Sequence, residues 1–349
     1  MSQGSAKLGR AHGIDLLRLL AAVQMISGHT IDALIAPAWR VGEGWARWTM
    51  IRGLTAVAFL FASGVAFAMV AAQSPERRAA RVKRALTLIA ISYALHPPVA
   101  IFSSDVALRD ASIASFFAVD VLACIGVTLL VLEALARLGP RAFAIGSGAL
   151  GVLSILLAPL CAGIDANGLA EPLLDYLTKS GGSLFPLLPF AGFALIGACI
   201  GAVARPREHG WRASITWGAA AAIFGAAAYA WSALEATPSH EAYYAWPAAS
   251  FGRLAAVLGL ALVLTLATRG IERLPPWMTT LAGETLFLYV SHLLALYVGG
   301  IGLVHFWGGQ LSLGESLAAA LALIVACALA ALAWARRGEK RPTRSVTPR

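Results

Sequence analysis

Residues 183–204 read Ser183-Leu-Phe-Pro-Leu-Leu-Pro-Phe-Ala-Gly-Phe-Ala-Leu-Ile-Gly-Ala-Cys-Ile-Gly-Ala-Val-Ala204, a stretch of 22 residues without one charged side chain. An α-helix needs about 20 apolar residues to cross about 30 Å of hydrocarbon, so this stretch is long enough to span a bilayer. It is too long and too continuously apolar for an alternating strand of an outer-membrane barrel. We therefore predict a transmembrane helix here.

Nine other blocks have the same character. The chain of 349 residues is 59% hydrophobic and 13% charged, with a mean hydropathy of +0.74, whereas soluble domains carry about 25% charged residues. The fold class predicted is an all-α polytopic membrane bundle of about ten transmembrane helices. The ten predicted spans are 14–37, 53–72, 84–103, 113–136, 142–162, 183–204, 211–233, 250–268, 278–304 and 314–335.

The basic residues between these blocks indicate the orientation. If the N-terminus is cytoplasmic, 20 basic residues lie on the cytoplasmic side and 5 on the opposite side. Cytoplasmic loops of membrane proteins carry such an excess of Lys and Arg, so both termini are predicted to be cytoplasmic. The net charge of +9 then reflects topology, and no nucleic-acid partner is expected.

The domain organisation predicted is simple. Residues 1–12 form a cytoplasmic segment, 13–335 a single transmembrane domain, and 336–349 a disordered basic tail. The four cysteines lie within spans without a CxxC or His/Cys spacing, so no disulfide or metal site is expected. The longest loops, 163–182 and 234–249, are both assigned to the outer side.

Several ionisable side chains fall inside the predicted spans, where they are costly and each is a functional hypothesis. From a helical rise of about 1.5 Å per residue, three histidines lie at similar depth, about 18–23 Å from the cytoplasmic edge. Asp120 reaches nearly the same level from outside, and two arginines begin spans from the outer face. A polar cavity in the outer half of the bundle is predicted, lined by His29, His96, His292, Asp120, Arg52 and Arg253.

Structural roles explain some of the same residues. A single intramembrane histidine often only hydrogen-bonds to a neighbouring helix. Arg52 and Arg253 have long side chains that can reach the interface. Asp15 and Arg18 are spaced to pair on one face of the first helix.

His29 has the strongest functional signal. It follows Gly28 and precedes Asp32 by one helical turn. A carboxylate at that spacing can fix the tautomer of an imidazole and make it more basic. This pattern favours a general base or an acyl-accepting nucleophile.

Four stretches resemble transmembrane acyltransferases of the heparan-alpha-glucosaminide N-acetyltransferase-like family and the related acyltransferase-3 family. They occur in the expected order, from residue 13 to residue 292. They are Gly13-Ile-Asp15-Leu-Leu-Arg18 with His29, Phe59-Leu-Phe61-Ala-Ser63-Gly64, Phe185-Pro186-Leu-Leu-Pro189-Phe-Ala-Gly192, and Leu281-Ala-Gly283-Glu284-Thr-Leu-Phe-Leu-Tyr289-Val-Ser-His292. Leu19 replaces the usual glycine, as in the acyltransferase-3 pattern, while the Phe185 stretch favours the heparan-type family.

The resemblance implies a multi-pass enzyme of a bacterial plasma membrane. It implies transfer of an acyl group, typically acetyl, from cytoplasmic acyl-CoA to a carbohydrate or glycolipid acceptor outside, such as an envelope glycan, with no metal. His29 matches the catalytic histidine of the acyltransferase-3 family.

Such a reaction needs a base for the acceptor, a donor for the tetrahedral oxyanion and basic groups for the CoA phosphates. We assign His29 with Asp32 to the first role, Arg52 or Arg253 to the second, and the third to a basic loop that positive-inside bias also explains. The loop residues are Arg81, Lys83 and Arg84. The residues expected to contact the acceptor are Asp15, Arg18, His96, Asp120, Arg253 and His292.

Two other functions fit the same sequence. One is a transporter or flippase of a lipid or glycan, with the intramembrane His and Asp residues as a proton relay; the absence of a visible internal repeat weakens it. The other is a non-catalytic membrane partner whose histidines only tie helices together.

Overall fold

The structure is a computed structural model that describes residues 11–99, 101–162, 164, 171–179, 182–205, 210–239, 242–298 and 300–339. In this part of the chain the regular secondary structure is helical, apart from an isolated bridge between Ile35 and Leu311. The predicted all-α class is therefore confirmed. Most of the predicted N-terminal segment, and the predicted tail from residue 340, lie outside the described residues.

The described residues form fourteen α-helices and three short 3₁₀ helices. The 3₁₀ helices are Pro37–Trp39, Pro75–Arg77 and Ala242–Tyr244. The α-helices are α1 His12–Leu34, α2 Gly42–Gln73, α3 Arg78–Leu95, α4 Val106–Phe117, α5 Val121–Ala136, α6 Pro140–Cys161, α7 Glu171–Leu177, α8 Leu187–Ala204, α9 Gly210–Leu234, α10 Pro247–Ala267, α11 Pro276–Gly283, α12 Thr285–Tyr297, α13 Leu303–Trp307 and α14 Leu313–Glu339.

Eight helical segments among the described residues are long and apolar enough to cross a membrane, with α4 and α5 counted together. The bent pair α11–α12 makes nine if it is one span. These agree with nine of the ten predicted spans. Since α14 continues to Glu339, the first residues of the predicted disordered tail are helical.

The predicted third span, 84–103, is wrong in extent. Its helix, α3, begins at Arg78 with four basic residues in its first two turns and ends at Leu95. His96 caps it, and Pro97-Pro98 follows; residues that precede proline are disfavoured in the helical conformation. The cytoplasmic location of both termini stays a prediction, because it needs α3 to cross as a tenth span.

The predicted ninth span, 278–304, is also not one continuous helix. It is broken at Glu284, where α11 and α12 meet at a bend of 71°. The backbone N–H of Glu284 donates to the carbonyls of Thr280 and Leu281, at 3.0 and 3.2 Å. These bonds satisfy the end of α11, and α12 then starts in a new direction.

The chain divides into two compact units. The single transmembrane domain over 13–335 stays a prediction. Among the described residues, unit 1 contains Ala11 and residues 56–266, and unit 2 contains residues 12–55 and 267–339. Unit 1 therefore holds the C-terminal part of α2 and α3 to α10. Unit 2 holds α1, the N-terminal part of α2 and α11 to α14.

Close packing on α8 organises unit 1. A Cβ atom on Gly192 would lie 2.7 Å from the carbonyl oxygen of Gly151 on α6. On another side of α8, a Cβ on Gly201 would lie 2.9 Å from Val65 Cα of α2, and one on Gly197 would collide with the carbonyl of Phe61. Small residues allow such close approach of backbones in membranes, so α8 contacts two helices directly.

Unit 2 is built around α1, which packs against α11, α12 and α14. The segment after α13 also binds the end of α1. Leu311 donates its N–H to Leu34 O at 2.9 Å, and Gly309 donates to Ala33 O at 3.1 Å. These bonds satisfy carbonyls that the last turn of a helix leaves unpaired, and they fix the end of α1.

Gly197→Ala should destabilise the protein by about 1–3 kcal/mol, because the added methyl collides with the backbone of α2. The matched control is Gly259→Ala on α10, where a Cβ meets nothing within 4 Å. That control should be neutral or stabilising, since alanine is the better helix former. Thermal unfolding in detergent measures both, and equal melting temperatures for the two variants would contradict the close α2–α8 contact.

Candidate active site

Two imidazoles meet inside unit 2. His29 on α1 and His292 on α12 have ring centroids 5.2 Å apart, with the planes at 80°. The depth calculation from the sequence placed both at the same level, and the structure brings them into contact. Their ring nitrogens are the strongest base candidates in this unit.

The tautomer of His292 follows from its hydrogen bond. Its Nδ1 lies 2.8 Å from Leu288 O, and because a carbonyl only accepts, Nδ1 carries the proton. Nε2 of the neutral ring is then unprotonated, and it has no hydrogen-bond partner among the described residues. The ring is fully buried, and the Tyr289 ring lies against it edge-on at 5.7 Å. His292 is thus a fixed, neutral imidazole with an available lone pair.

An ion pair lies beside the histidines. The guanidinium of Arg52 on α2 contacts the carboxylate of Asp32 on α1, and Trp48 Nε1 donates to the same carboxylate at 3.5 Å. Between Asp32 and the His29 ring the structure shows no hydrogen bond. The predicted carboxylate–imidazole pair is therefore replaced by a carboxylate–guanidinium pair.

Local sequence explains this placement. A Cβ on Gly28 would lie 3.3 Å from Arg52 Cγ, so glycine leaves room for the arginine to lie across α1 next to His29. Arg40 donates to the carbonyls of Asp32, at 2.7 Å, and Ile35, at 3.2 Å. These bonds hold the last turn of α1, which carries Asp32.

Two predicted cavity residues belong to unit 1 and form a hydrogen-bond network there. Asp120 caps α5 by accepting from Ala123 N at 2.9 Å, and it accepts from Ser92 Oγ at 2.6 Å. His96 Nδ1 donates to Ser92 O at 3.1 Å. The Ser92–Asp120 bond joins α3 to α5, and the His96 bond holds the end of α3. These bonds give Asp120 and His96 a structural role.

The predicted CoA-binding loop divides into a buried and an exposed part. Arg81 donates to both carboxylate oxygens of buried Glu133, at 2.7 and 3.1 Å, and to Ser74 O at 2.6 Å. Lys83 and Arg84, on the same helix, are exposed. Of the three, only these two present their charges to solvent.

The remaining predicted residues are distributed over both units. In unit 2, Asp15 and Arg18 lie on α1, and Arg18 donates to Thr285 Oγ1 at the start of α12, at 3.1 Å. In unit 1, the guanidinium of Arg253 on α10 lies 5.3 Å from the ring centroid of Tyr243. The structure thus groups His29, His292, Asp32, Arg52 and Arg18 in one unit.

The sequence model described as heparan-alpha-glucosaminide N-acetyltransferase, catalytic, matches residues 10–231. The chain belongs to this family. It is a multi-pass membrane acetyltransferase, as the quoted motifs predicted. No curated protein matches the chain.

The family match includes His29, Asp32, Arg52 and the basic loop of the acetyltransferase. His292 lies beyond the end of the match, so the second imidazole comes from a later part of the chain. Trp48 and Tyr289 were missed as site residues by sequence reasoning. Tyr289 did carry a signal, because residues at i and i+3 share one face of a helix.

Arg81→Ala should destabilise the acetyltransferase by about 3–5 kcal/mol, because it leaves the buried carboxylate of Glu133 without its closest partner. Lys83→Ala with Arg84→Ala should leave the melting temperature unchanged and raise the KM for acetyl-CoA if these exposed cations bind its phosphates. Thermal unfolding and initial-rate kinetics separate the two effects. An unchanged KM would remove Lys83 and Arg84 from the donor site.

Asp32→Asn should reduce acetyl transfer, because Arg52 loses the charge that holds it beside His29. Asp32→Asn and Arg52→Gln should be strongly non-additive in kcat, as expected for residues that act as a unit. The matched control is Glu43→Gln, which breaks the exposed pair of Glu43 with Arg47 on α2 and should have little effect. Fully additive losses would show that Asp32 and Arg52 act independently.

Proposed function

We propose that this acetyltransferase moves an acetyl group from acetyl-CoA to a hydroxyl or amine of a sugar on the extracytoplasmic face of a bacterial plasma membrane. The observation that carries the proposal is the His29–His292 pair beside the Asp32–Arg52 ion pair. The family supports acetyl transfer, and the exposed cations Lys83 and Arg84 suit a phosphate-bearing donor on the cytoplasmic side.

His29 is the base in this proposal. Its ring contacts His292 edge-on, and among the described residues no hydrogen bond occupies its nitrogens. A nitrogen of His29 therefore accepts the proton of the acceptor hydroxyl or amine as that group attacks the acetyl carbonyl. The unprotonated Nε2 of His292 adds a lone pair nearby, which stabilises the imidazolium that forms.

Arg52 stabilises the oxyanion of the tetrahedral intermediate. A terminal nitrogen of its guanidinium contacts the Asp32 carboxylate, and a guanidinium has five N–H donors in all. The Arg52 side chain passes Gly28, the neighbour of His29, and positive charge held there before the reaction costs no reorganisation during it. Asp32 fixes the guanidinium in place.

The transfer balances with these groups alone. A bond forms between the acceptor oxygen or nitrogen and the acetyl carbon, and the carbon–sulfur bond of the thioester breaks as the intermediate collapses. The leaving thiolate of CoA takes the proton from His29. The base is thereby regenerated for the next cycle.

His29→Ala should lower kcat for acetyl transfer by about 10²–10⁴-fold, the contribution typical of a positioned general base. The matched control is His305→Ala, at an exposed histidine on α13 of the same unit, which should keep full activity. The assay follows CoA release and transfer of labelled acetyl from acetyl-CoA to envelope glycan, with folded protein verified by thermal unfolding.

Two results would contradict the proposal. Full transfer by a folded His29→Ala protein would remove the histidine from the chemistry. Substrate movement driven by a pH gradient, without acetyl-CoA consumption, would instead show the transporter that the sequence also allows.

A further inference from the structure

A second polar cluster lies in unit 1, remote in sequence from the histidines. It joins the loop after α7 to the 3₁₀ turn Ala242–Tyr244 and the start of α10. These segments belong to the two longest loops predicted on the outer side. We name it the tyrosine–cation cluster, and its members are Lys179, Tyr243, Tyr244, Trp246 and Arg253.

Each cation of the cluster lies over a tyrosine ring. Lys179 Nζ is 4.7 Å from the centroid of Tyr244, and Arg253 Cζ is 5.3 Å from that of Tyr243. Lys179 N also donates to Tyr244 Oη at 3.3 Å, and the Tyr243 ring packs on the buried Trp246 ring at 5.7 Å. The aromatic contacts therefore hold both positive charges in place.

The two cations lie over the rings of adjacent residues, Tyr244 and Tyr243, so their positive charges repel each other. Burial, and after it the positive charge of Arg253, lower the pKa of Lys179. Among the residues that the structure describes, no carboxylate lies within ion-pairing distance of Lys179 or Arg253. Cation–π contacts of this kind contribute about 0.5–2 kcal/mol each, and they leave the N–H donors of both cations available to an anion.

The position of the cluster favours a membrane ligand. Arg253 is six residues into α10, or about 9 Å along a helix that is long and apolar enough to span the bilayer. Cations and aromatic rings at that depth meet lipid headgroups. A cation lies over one face of each tyrosine ring, so the cluster presents positive N–H donors together with its aromatic surface.

We propose that the tyrosine–cation cluster is a binding site for the phosphate of an anionic phospholipid headgroup. One phosphodiester oxygen pair accepts from Lys179 and Arg253 together, which relieves their mutual repulsion. A zwitterionic headgroup fits less well, because its ammonium group is repelled by the same two cations. The site would thus couple the two outer loops of unit 1 to the lipid surface.

The test uses the full-length protein in detergent, titrated with phosphatidylglycerol, phosphatidylcholine or inorganic phosphate. Native mass spectrometry gives the bound lipid, and thermal unfolding gives the stabilisation. Phosphatidylglycerol should bind at least about tenfold more tightly than phosphatidylcholine, equivalent to about 1.4 kcal/mol. Inorganic phosphate at millimolar concentration should not reproduce the stabilisation.

Lys179→Gln and Arg253→Gln should each remove the preference for phosphatidylglycerol. The matched control is Arg212→Gln, at an exposed cation at the start of α9 in the same unit, which should keep it. Arg253→Lys retains the charge and should retain most of the preference, which separates the effect of the charge from that of the arginine side chain. If Arg253→Gln folds poorly, Lys179→Gln still tests the site.

Three outcomes would overturn the proposal. They are equal binding of the two lipids by the unaltered protein, an unchanged preference in folded Lys179→Gln or folded Arg253→Gln protein, and full stabilisation by inorganic phosphate. The last would show a site for a free anion. Because the readouts are lipid binding and stability, their result is independent of acetyl transfer.

Discussion

The cost of placing a charged group in hydrocarbon is the constraint on which this structure depends. Three carboxylates in the predicted spans are held by donors. Glu133 accepts from Arg81, Asp32 pairs with Arg52, and Asp120 accepts from Ser92 and from the first turn of α5. Each of these contacts joins two helices or ends one, so the chemistry that neutralises the charge also positions the backbone.

Because most buried polar groups are paired, side chains whose polar atoms remain available are candidates for a function. His292 Nε2 is buried without a partner among the described residues, although its Nδ1 is fixed by Leu288. Leaving such an atom unsatisfied costs about 1–3 kcal/mol, and polar groups that bear this cost are concentrated at reactive and binding sites. The cations Lys179 and Arg253 are a similar case in unit 1. Aromatic rings hold them, but no carboxylate in the described part of that unit neutralises their charge.

The sequence predicted most helices because a long apolar stretch has few other solutions in a bilayer. It failed where a local feature overrides hydropathy. Pro97-Pro98 ends α3 well before the apolar block ends, and Glu284 allows a 71° bend inside a segment whose composition gives no sign of it. Hydropathy averages over a whole span, so neither an early end nor a change of direction alters it enough to be detected.

In the candidate site, the sequence predicted the depth of side chains better than it predicted which side chains pair. The depth of His29 and His292 in the membrane follows from helical rise, so the sequence predicted that they lie at the same level. It did not predict that the two side chains point toward each other. The partner of Asp32 was not predicted either, because i,i+3 spacing favours His29 while the actual partner, Arg52, comes from another helix through the space that Gly28 leaves. The family match ends before α12, yet His292 on that helix completes the imidazole pair. The reactive centre that we propose for this acetyltransferase therefore combines a first helix within the family match with a late helix that only the three-dimensional structure places beside it.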